Sequence, residues 1–530
     1  MAFDSVWLAV AVVPIGFLLF HWASAGYPRL PSYIPGPPSR SWIAGHAVDL
    51  WNKQEQAGDL EFAWFKQYGA TIKTKGTFGT EILLTSDAKA IHYVLHTSAY
   101  RFEKAPEAVI SITAVNGKGV IAVNGKTHQR HRKVLSPAFS EIQLRTFMPV
   151  FQSVANTLTK TIRAAIERDG GIVDVHHWLG RASLDIIGES SAFNYKFNSL
   201  EDENCEMANI MSHLMDGASA MTEPLRVGLW LMEKFPLLQG LVDYSPADLH
   251  RHMVKFKKLA RELGKIIVDK AKQSSTDTSA KDILSILVRA NESEDSSKKL
   301  SEDEVLNQTA TLLSAGQETT SSTLTWVLYE LSKCPDAQHA LRKEIREVRS
   351  RVGDGPLTQQ DYDSMEMLNA VIKETLRFHP ILGTMLRVAS FDDIIPLAEP
   401  IITPDGQTIS QIPVQKGQLV ECAAHGYNRN PAVWGSDAHI WRPERWLTKQ
   451  EAQVTVGMHA NVLSFSGGVR GCSGWRFAMM SMQSITFELI ENFYFEPSEA
   501  ICRRPGLLIT PHLAARVEEG VKLPLRVTEV

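Results

Sequence analysis

Apolar residues recur every three or four positions along six stretches of the chain, 143–168, 245–272, 304–333, 335–352, 364–378 and 474–492. That spacing predicts six helices. Alternating apolar and polar runs are shorter. They cluster at 71–85 (TIKTKGTFGTEILLT) and 395–423, with a last pair of strands expected after Leu507. One stretch has no polar rhythm: 6–23, VWLAVAVVPIGFLLFHWA, carries no Lys, Arg, Asp or Glu. It is about as long as the ~17–25 residues of a membrane-spanning helix, so residues 1–26 are expected to form an anchor. Only Asp4 is charged ahead of it, whereas Arg29 and Arg40 follow, which orients the bulk of the chain toward the cytosol. The prolines of 27–38, YPRLPSYIPGPP, hold the chain extended and predict a stiff hinge. Residues 39–530 show no repeat and no long linker. Only two short polar loops, 273–280 and 291–303, interrupt them. The expected architecture is mainly α with small β-sheets (α+β), a single large domain behind an N-terminal transmembrane helix.

Composition narrows the function. With 44% hydrophobic and 22% charged residues, the chain can bury a large core and is not disordered. A net charge of −4 gives no electrostatic footprint for nucleic acid. Five cysteines, odd in number and without close pairs, exclude a disulfide scaffold or a zinc module and fit reduced thiols.

Four of those cysteines, Cys205, Cys334, Cys422 and Cys502, read as small buried hydrophobes. Cys472 has a different setting, in FSGGVRGCSG (465–474), directly before a helical run. Gly467, Gly468 and Gly471 permit tight turns and close approach, and the helix that follows brings its positive end near the sulfur. These features are expected to lower the thiol pKa, while Arg470 suits a carboxylate partner. Glu374 and Arg377, three apart in KETLRFHP, share one helix face that Pro380 ends. Within 304–333, the run AGQETT gathers Gly and Thr, poor helix formers, in mid-helix. The segment 125–139, GKTHQRHRKVLSPAF, is strongly basic.

In this order, and over roughly 30–530, these segments resemble the cytochrome P450 family of haem-thiolate monooxygenases. Phe465, Gly468, Arg470, Cys472 and Gly474 match the family's haem-binding loop. This implies haem b (iron protoporphyrin IX) as cofactor, with Cys472 as the axial iron ligand. Glu374 and Arg377 resemble the Glu-x-x-Arg motif, with Arg445 of PERW as the third member of a structural network. Arg387 falls where the family places a propionate ligand. AGQETT is similar to the oxygen-activation motif. The likeness implies that Ala315 and Gly316 lie against the haem, that Gly316 lets the helix open, that Thr319 handles dioxygen and that Glu318 relays protons. His128 and Arg132 take the positions at which many members carry a Trp and an Arg for a propionate. The Trp is missing here, although a His ring N–H can also donate to a carboxylate. Arg130, Arg132 and Lys133 form a basic patch suited to an acidic electron donor. The apolar stretch 211–241 corresponds to a mobile lid. The stretches 109–123, 312–319, 381–385 and 509–513 are expected pocket walls.

The chain has no GxGxxG nucleotide domain, so the resemblance implies electrons from a separate NADPH-cytochrome P450 reductase, with cytochrome b5 as an optional second donor. It further implies insertion of oxygen into a lipophilic small molecule, such as a terpenoid or other secondary metabolite, in a fungal enzyme. The expected location is the endoplasmic reticulum membrane, single-pass, with the catalytic domain facing the cytosol. Two alternatives keep the haem: a reductase-independent isomerase or dehydratase, which would not need the acid–Thr pair, and a gas-binding protein.

Overall fold

The computed structural model describes residues 27–192, 194–217, 223–244, 248–273, 286–288, 291–292, 299–353, 355–448 and 454–530. The predicted anchor at 6–23 lies outside them, as do residues 274–280 and 293–298 of the two expected loops. Among the described residues no helix is long and apolar enough to cross a membrane. The segment 27–38 lies against the body: Leu30 and Ile34 are buried, and the Lys73 amide donates to the Pro35 carbonyl at 2.7 Å.

All six predicted helices are present. The first is divided into Glu141–Arg145 and Met148–Asp169, because Pro149 cannot donate within a continuous helix and instead sits in the first turn of the second. The long helix runs Glu302–Lys333 and starts at a capping box, in which the Ser301 hydroxyl accepts from the Glu304 amide and the Glu304 carboxylate accepts from the Ser301 amide. Buried on nearly every side, it is the central column of the molecule. It packs between helices Val175–Ile186 and Trp475–Asn492 in one continuous core that includes Leu313, Leu324, Phe151 and Phe487.

The sheets are small, as expected, but their partners are remote. A five-stranded sheet has the order Thr71–Lys75, Glu81–Thr85, Leu419–Ala423, Thr384–Ala389, Phe102–Lys104. Its central pairing, Ile82 with Leu419, is parallel. Its far edge pairs Lys104 with Arg387 in antiparallel register. The two strands after Leu507 do not pair with each other. Thr510–Leu513 joins Ile501–Arg504, and Pro524–Glu529 lies between Ile172–Asp174 and Phe493–Pro497.

Candidate active site

The cysteine loop is shaped by close approach to its neighbours. Gly468 has φ +63, and a Cβ there would stand 1.7 Å from the Leu95 carbonyl oxygen, so only glycine lets the loop dock on the segment Tyr93–Thr97. Gly468 is thus required by protein backbone, before any cofactor is considered. The Cys472 amide donates to the Phe465 carbonyl at 2.9 Å, which closes the loop and leaves the Cys472 side chain exposed within its slot. The thiol is not lowered as the sequence suggested. Burial of the sulfur's surroundings pushes it up, against a smaller lowering by the Gly474 amide and by Arg132. Helix polarity and one cation do not outweigh desolvation.

The long helix presents Ala315 exposed and Ser314, Gly316 and Thr319 half-buried, while Gln317, Glu318 and Thr320 are buried. The Thr319 hydroxyl donates to the Ala315 carbonyl at 2.6 Å. The helix is continuous through Gly316, contrary to the expected opening. The glycine instead admits Ile187, whose Cδ1 would lie 2.7 Å from a Cβ at that position. Glu318 is buried and makes no ion pair among the described residues. Burial and, secondarily, the Asp216 carboxylate raise its pKa to about 8, so it is a carboxylic acid at neutral pH.

Near the cysteine loop several cations gather, with the Glu103 carboxylate close enough to favour the charged form of Arg470. Arg387 is buried and donates only to the Leu386 carbonyl, at 3.0 Å. Arg470 donates to the Val123 carbonyl at 3.1 Å and to Asn124 Oδ1 at 2.6 Å, but its buried Nε has no partner. Burial, then Arg387, lowers its pKa to about 10. His128 is buried rather than a surface histidine. Its Nδ1 lies 3.4 Å from the Tyr100 hydroxyl, and burial followed by Arg470, Arg132 and Lys104 pushes it down to about 3. Arg132 reaches the loop itself, donating to the Gly471 carbonyl at 2.8 Å and to the Ser473 hydroxyl. Arg130 pairs with Glu304. Two of the three side chains of the supposed basic patch therefore point into the protein.

Local sequence patterns did not single out Lys104, which stands opposite Arg387 on the same sheet and has no carboxylate within ion-pair distance among the described residues. Its one sequence signal was parity: on a strand, Lys104 shares a face with Phe102, a core residue. A lysine on an inward face needs an anionic partner. An accessible thiol beside buried Arg387 and half-buried Lys104 and Arg470, none of them in an ion pair among the described residues, with an orphaned guanidinium nitrogen, is the donor set that a metal macrocycle bearing two carboxylates requires. The residues present fit haem.

Behind the loop, Arg377 Nε and Nη2 grip Glu374 at 2.9 and 2.7 Å, with both side chains fully buried. Glu374 also accepts from Arg445 Nε at 3.3 Å, the Arg442 amide at 2.8 Å and Trp446 Nε1 at 2.9 Å. The three expected members meet as a structural network. The predicted pocket walls also converge. The Ile509 amide donates to the Ile381 carbonyl at 2.9 Å, and the Ser314 hydroxyl donates to Asn116 Oδ1 at 2.6 Å. Within the lid stretch, helix Glu223–Lys234 covers a cleft of about 190 Å³ and is fastened by Arg226 to Glu107 at 3.3 Å. Helices that were not predicted include Asp59–Tyr68, Pro106–Asn116, Val175–Ile186, Glu206–Gly217 and this lid helix.

The comparisons with known proteins agree with this geometry. The chain is 33% identical over 519 residues to cytochrome P450 monooxygenase 128 of Postia placenta, covering 94% of this chain and 92% of that one. It is 32% identical to cytochrome P450 monooxygenase claQ of Ampulloclitocybe clavipes, covering 94% and 93%. It is 31% identical to a ganoderic acid synthetase of Ganoderma lucidum, covering 88% of each. The profile of the cytochrome P450 family matches residues 35–514. Sequence, fold and site together establish that the chain belongs to the cytochrome P450 family, as a haem b-dependent monooxygenase.

Proposed function

We propose that this monooxygenase hydroxylates or epoxidises a lipophilic small molecule of terpenoid type, using electrons from an NADPH-dependent reductase, with cytochrome b5 as a second donor. The observation that carries the proposal is the pairing of Thr319, on the exposed stripe of the long helix, with Glu318, buried and protonated behind it. Haem ligated by Cys472 supplies the centre at which dioxygen is reduced. The protein's part is to place protons. Glu318 holds one at its carboxyl, and the Thr319 hydroxyl, whose proton is given to the Ala315 carbonyl, offers its oxygen as an acceptor on the same face of the helix as Ala315. Arg470, Arg387 and His128 bind the cofactor's carboxylates, while Arg132 positions the cysteine loop. Phe465, Gly468, Ala315 and Gly316 shape the cofactor's two faces.

Support for a lipophilic substrate comes from the apolar walls at Ile381 and Ile509 and from the name of the Ganoderma lucidum relative. We place the enzyme at the endoplasmic reticulum membrane, catalytic domain toward the cytosol. The uncharged run 6–23 supports this, as do the exposed Trp42, Leu225 and Leu237. An electron donor has a cleft of about 450 Å³ to approach, lined by Trp475 and Arg476 at the start of the helix after Cys472, by Lys373 of helix Glu366–Phe378 and by the acids Glu141 and Glu366.

Co-expression with a reductase, followed by parallel measurement of NADPH consumed, hydrogen peroxide released and product formed, tests the assignment. Thr319→Ala should keep haem and substrate binding but divert most electrons into peroxide. Turnover without NADPH, or coupling unchanged in Thr319→Ala, would instead favour a reductase-independent isomerase.

A further inference from the structure

Glu421 lies on Leu419–Ala423, the central strand of the five-stranded sheet. Strand alternation puts it on one face with Leu419, and the register sets Leu386 opposite Glu421 and Val388 opposite Leu419 on the neighbouring strand. Leu419 and Val388 line the cleft beneath the lid helix, so the Glu421 carboxyl leaves the sheet on that side. An acid among these apolar neighbours needs a partner. Glu421 is half-buried and forms no ion pair among the described residues, and the Thr384 hydroxyl donates to its Oε1 at 2.6 Å. Its Oε2 has no partner among them. Thr384 belongs to the pocket wall 381–385, and the residue before it exposes a second unanswered group. Gly383 carries no side chain, and a Cβ there would stand 2.6 Å from Nδ1 of His425, a ring that is 5% exposed and has no hydrogen-bond partner at that atom. Nε2 of the same ring lies 3.2 Å from Glu61 Oε1. The apolar wall thus holds one polar spot, made by Glu421, Thr384 and His425.

We propose that this spot is a subsite for a hydroxyl group of the substrate, with Glu421 as the residue that selects lipophilic alcohols and fixes which end of the molecule lies away from the cysteine loop. The proposal rests on the reading of the protein as an oxidiser of lipophilic molecules and narrows that class. A hydroxyl can pair with Oε2 in either protonation state, accepting from the acid or donating to the carboxylate. Other head groups fit less well. Burial raises the Glu421 pKa, Thr384 opposes the rise, and Glu61 and Glu107 add to it. A substrate carboxylate would face the same three acids, and an ammonium would find a carboxyl that its surroundings keep from ionising. A purely apolar end would leave Oε2 unanswered, which is how a hydrogen-bonding subsite rejects an analogue that lacks the group.

The test uses the full haem-loaded chain and 1-alkylimidazoles, whose ring nitrogen ligates the iron and shifts its absorption band while the alkyl chain lies in the pocket. Three series of increasing chain length end in methyl, hydroxyl or carboxylate. Over one range of lengths, the ratio of hydroxyl to methyl affinity should be about three- to tenfold higher in wild type than in Glu421→Leu, the worth of one hydrogen bond. Glu421→Gln, whose amide both donates and accepts, should keep the wild-type ratio, and Glu421→Met takes the place of the leucine variant if that one does not fold. The carboxylate series should bind wild type more weakly than the hydroxyl series. Equal ratios in wild type and Glu421→Leu at every length would overturn the proposal, and so would a carboxylate end bound as tightly as a hydroxyl end. Both results leave the lipophilic pocket standing, provided that affinity rises with length in the methyl series. Affinity indifferent to that length would remove the lipophilic reading itself, and the proposal with it.

Discussion

Arg377 Nη1 donates to the Asn428 carbonyl at 2.8 Å, and the Asn428 side chain in turn accepts the Leu463 amide at 2.9 Å, two residues before Phe465. The Asn428 amide group also donates to Ser464 at 3.2 Å. The Glu374–Arg377 pair is therefore bonded, through one intermediary, to the stem of the loop that presents Cys472. An ion pair that sequence spacing alone could not distinguish from a surface contact is the footing of the metal ligand.

Arg377→Ala should cost ~3–5 kcal/mol, because it strips buried Glu374 of its bidentate partner and leaves it one cation, Arg445 at 3.3 Å. Denaturant unfolding and the reduced, carbon monoxide-bound spectrum of the same preparation measure it. Stability and haem content should fall together. Full haem content in a destabilised variant would separate the network from the loop.

Gly468→Ala should abolish the thiolate-type spectrum while far-ultraviolet dichroism stays close to wild type. Its new methyl would collide with the Leu95 backbone, which has no side chain to swing aside. Gly69→Ala is the control. It also has positive φ, at +94, but nothing within 4 Å of the added carbon, so it should cost only the ~1–2 kcal/mol of a strained backbone.

Glu318 gives a pH signature. A carboxyl whose pKa rises on folding binds its proton more tightly in the folded chain. Stability is then greatest below the ordinary carboxyl range and falls as pH climbs from there to about 8. Glu318→Gln removes that dependence. Relative to wild type it should be more stable by roughly 2–4 kcal/mol at pH 8.5 and equal near pH 4, even as it slows turnover. Parallel unfolding curves at the two pH values decide the matter, and a constant difference would show that the carboxyl does not titrate as described.

Glu107→Gln should loosen the lid. Arg226 would lose its carboxylate at 3.3 Å, and a half-buried pair of this kind is worth up to ~1 kcal/mol, enough to quicken opening by a few-fold without unfolding the protein. Stopped-flow binding of a nitrogenous haem ligand should be about two- to fivefold faster, with the melting point nearly unchanged. An unaltered rate would move the route of entry away from this cleft.

What could be read from the chain without coordinates was whatever short-range chemistry dictates. The glycine spacing before Cys472 and the Glu374–Arg377 interval announce themselves within a few residues, and so do the amphipathic helices. Lys104 and Asn124 did not, because their meaning depends on partners at Arg387 and Arg470 that only the folded sheet brings near. Arg132 was expected to serve a haem carboxylate, whereas its hydrogen bond to the Gly471 carbonyl is a tertiary fact that no local pattern encodes. The direction of the Cys472 shift was misjudged for a related reason. Sequence displays the nearby charges and dipoles but conceals the burial that outweighs them.

The parallel pairing of Ile82 with Leu419 has a consequence in time. At a ribosome delivering ~5–20 residues per second, the strand Glu81–Thr85 emerges long before the strand that will cover its open edge. Until then the nascent chain exposes an unpaired, apolar edge, and Lys104 and Arg387 are not yet neighbours. The sheet therefore cannot close until residues past Ala423 have emerged, and the interval before that is when chaperones and aggregation compete for the chain.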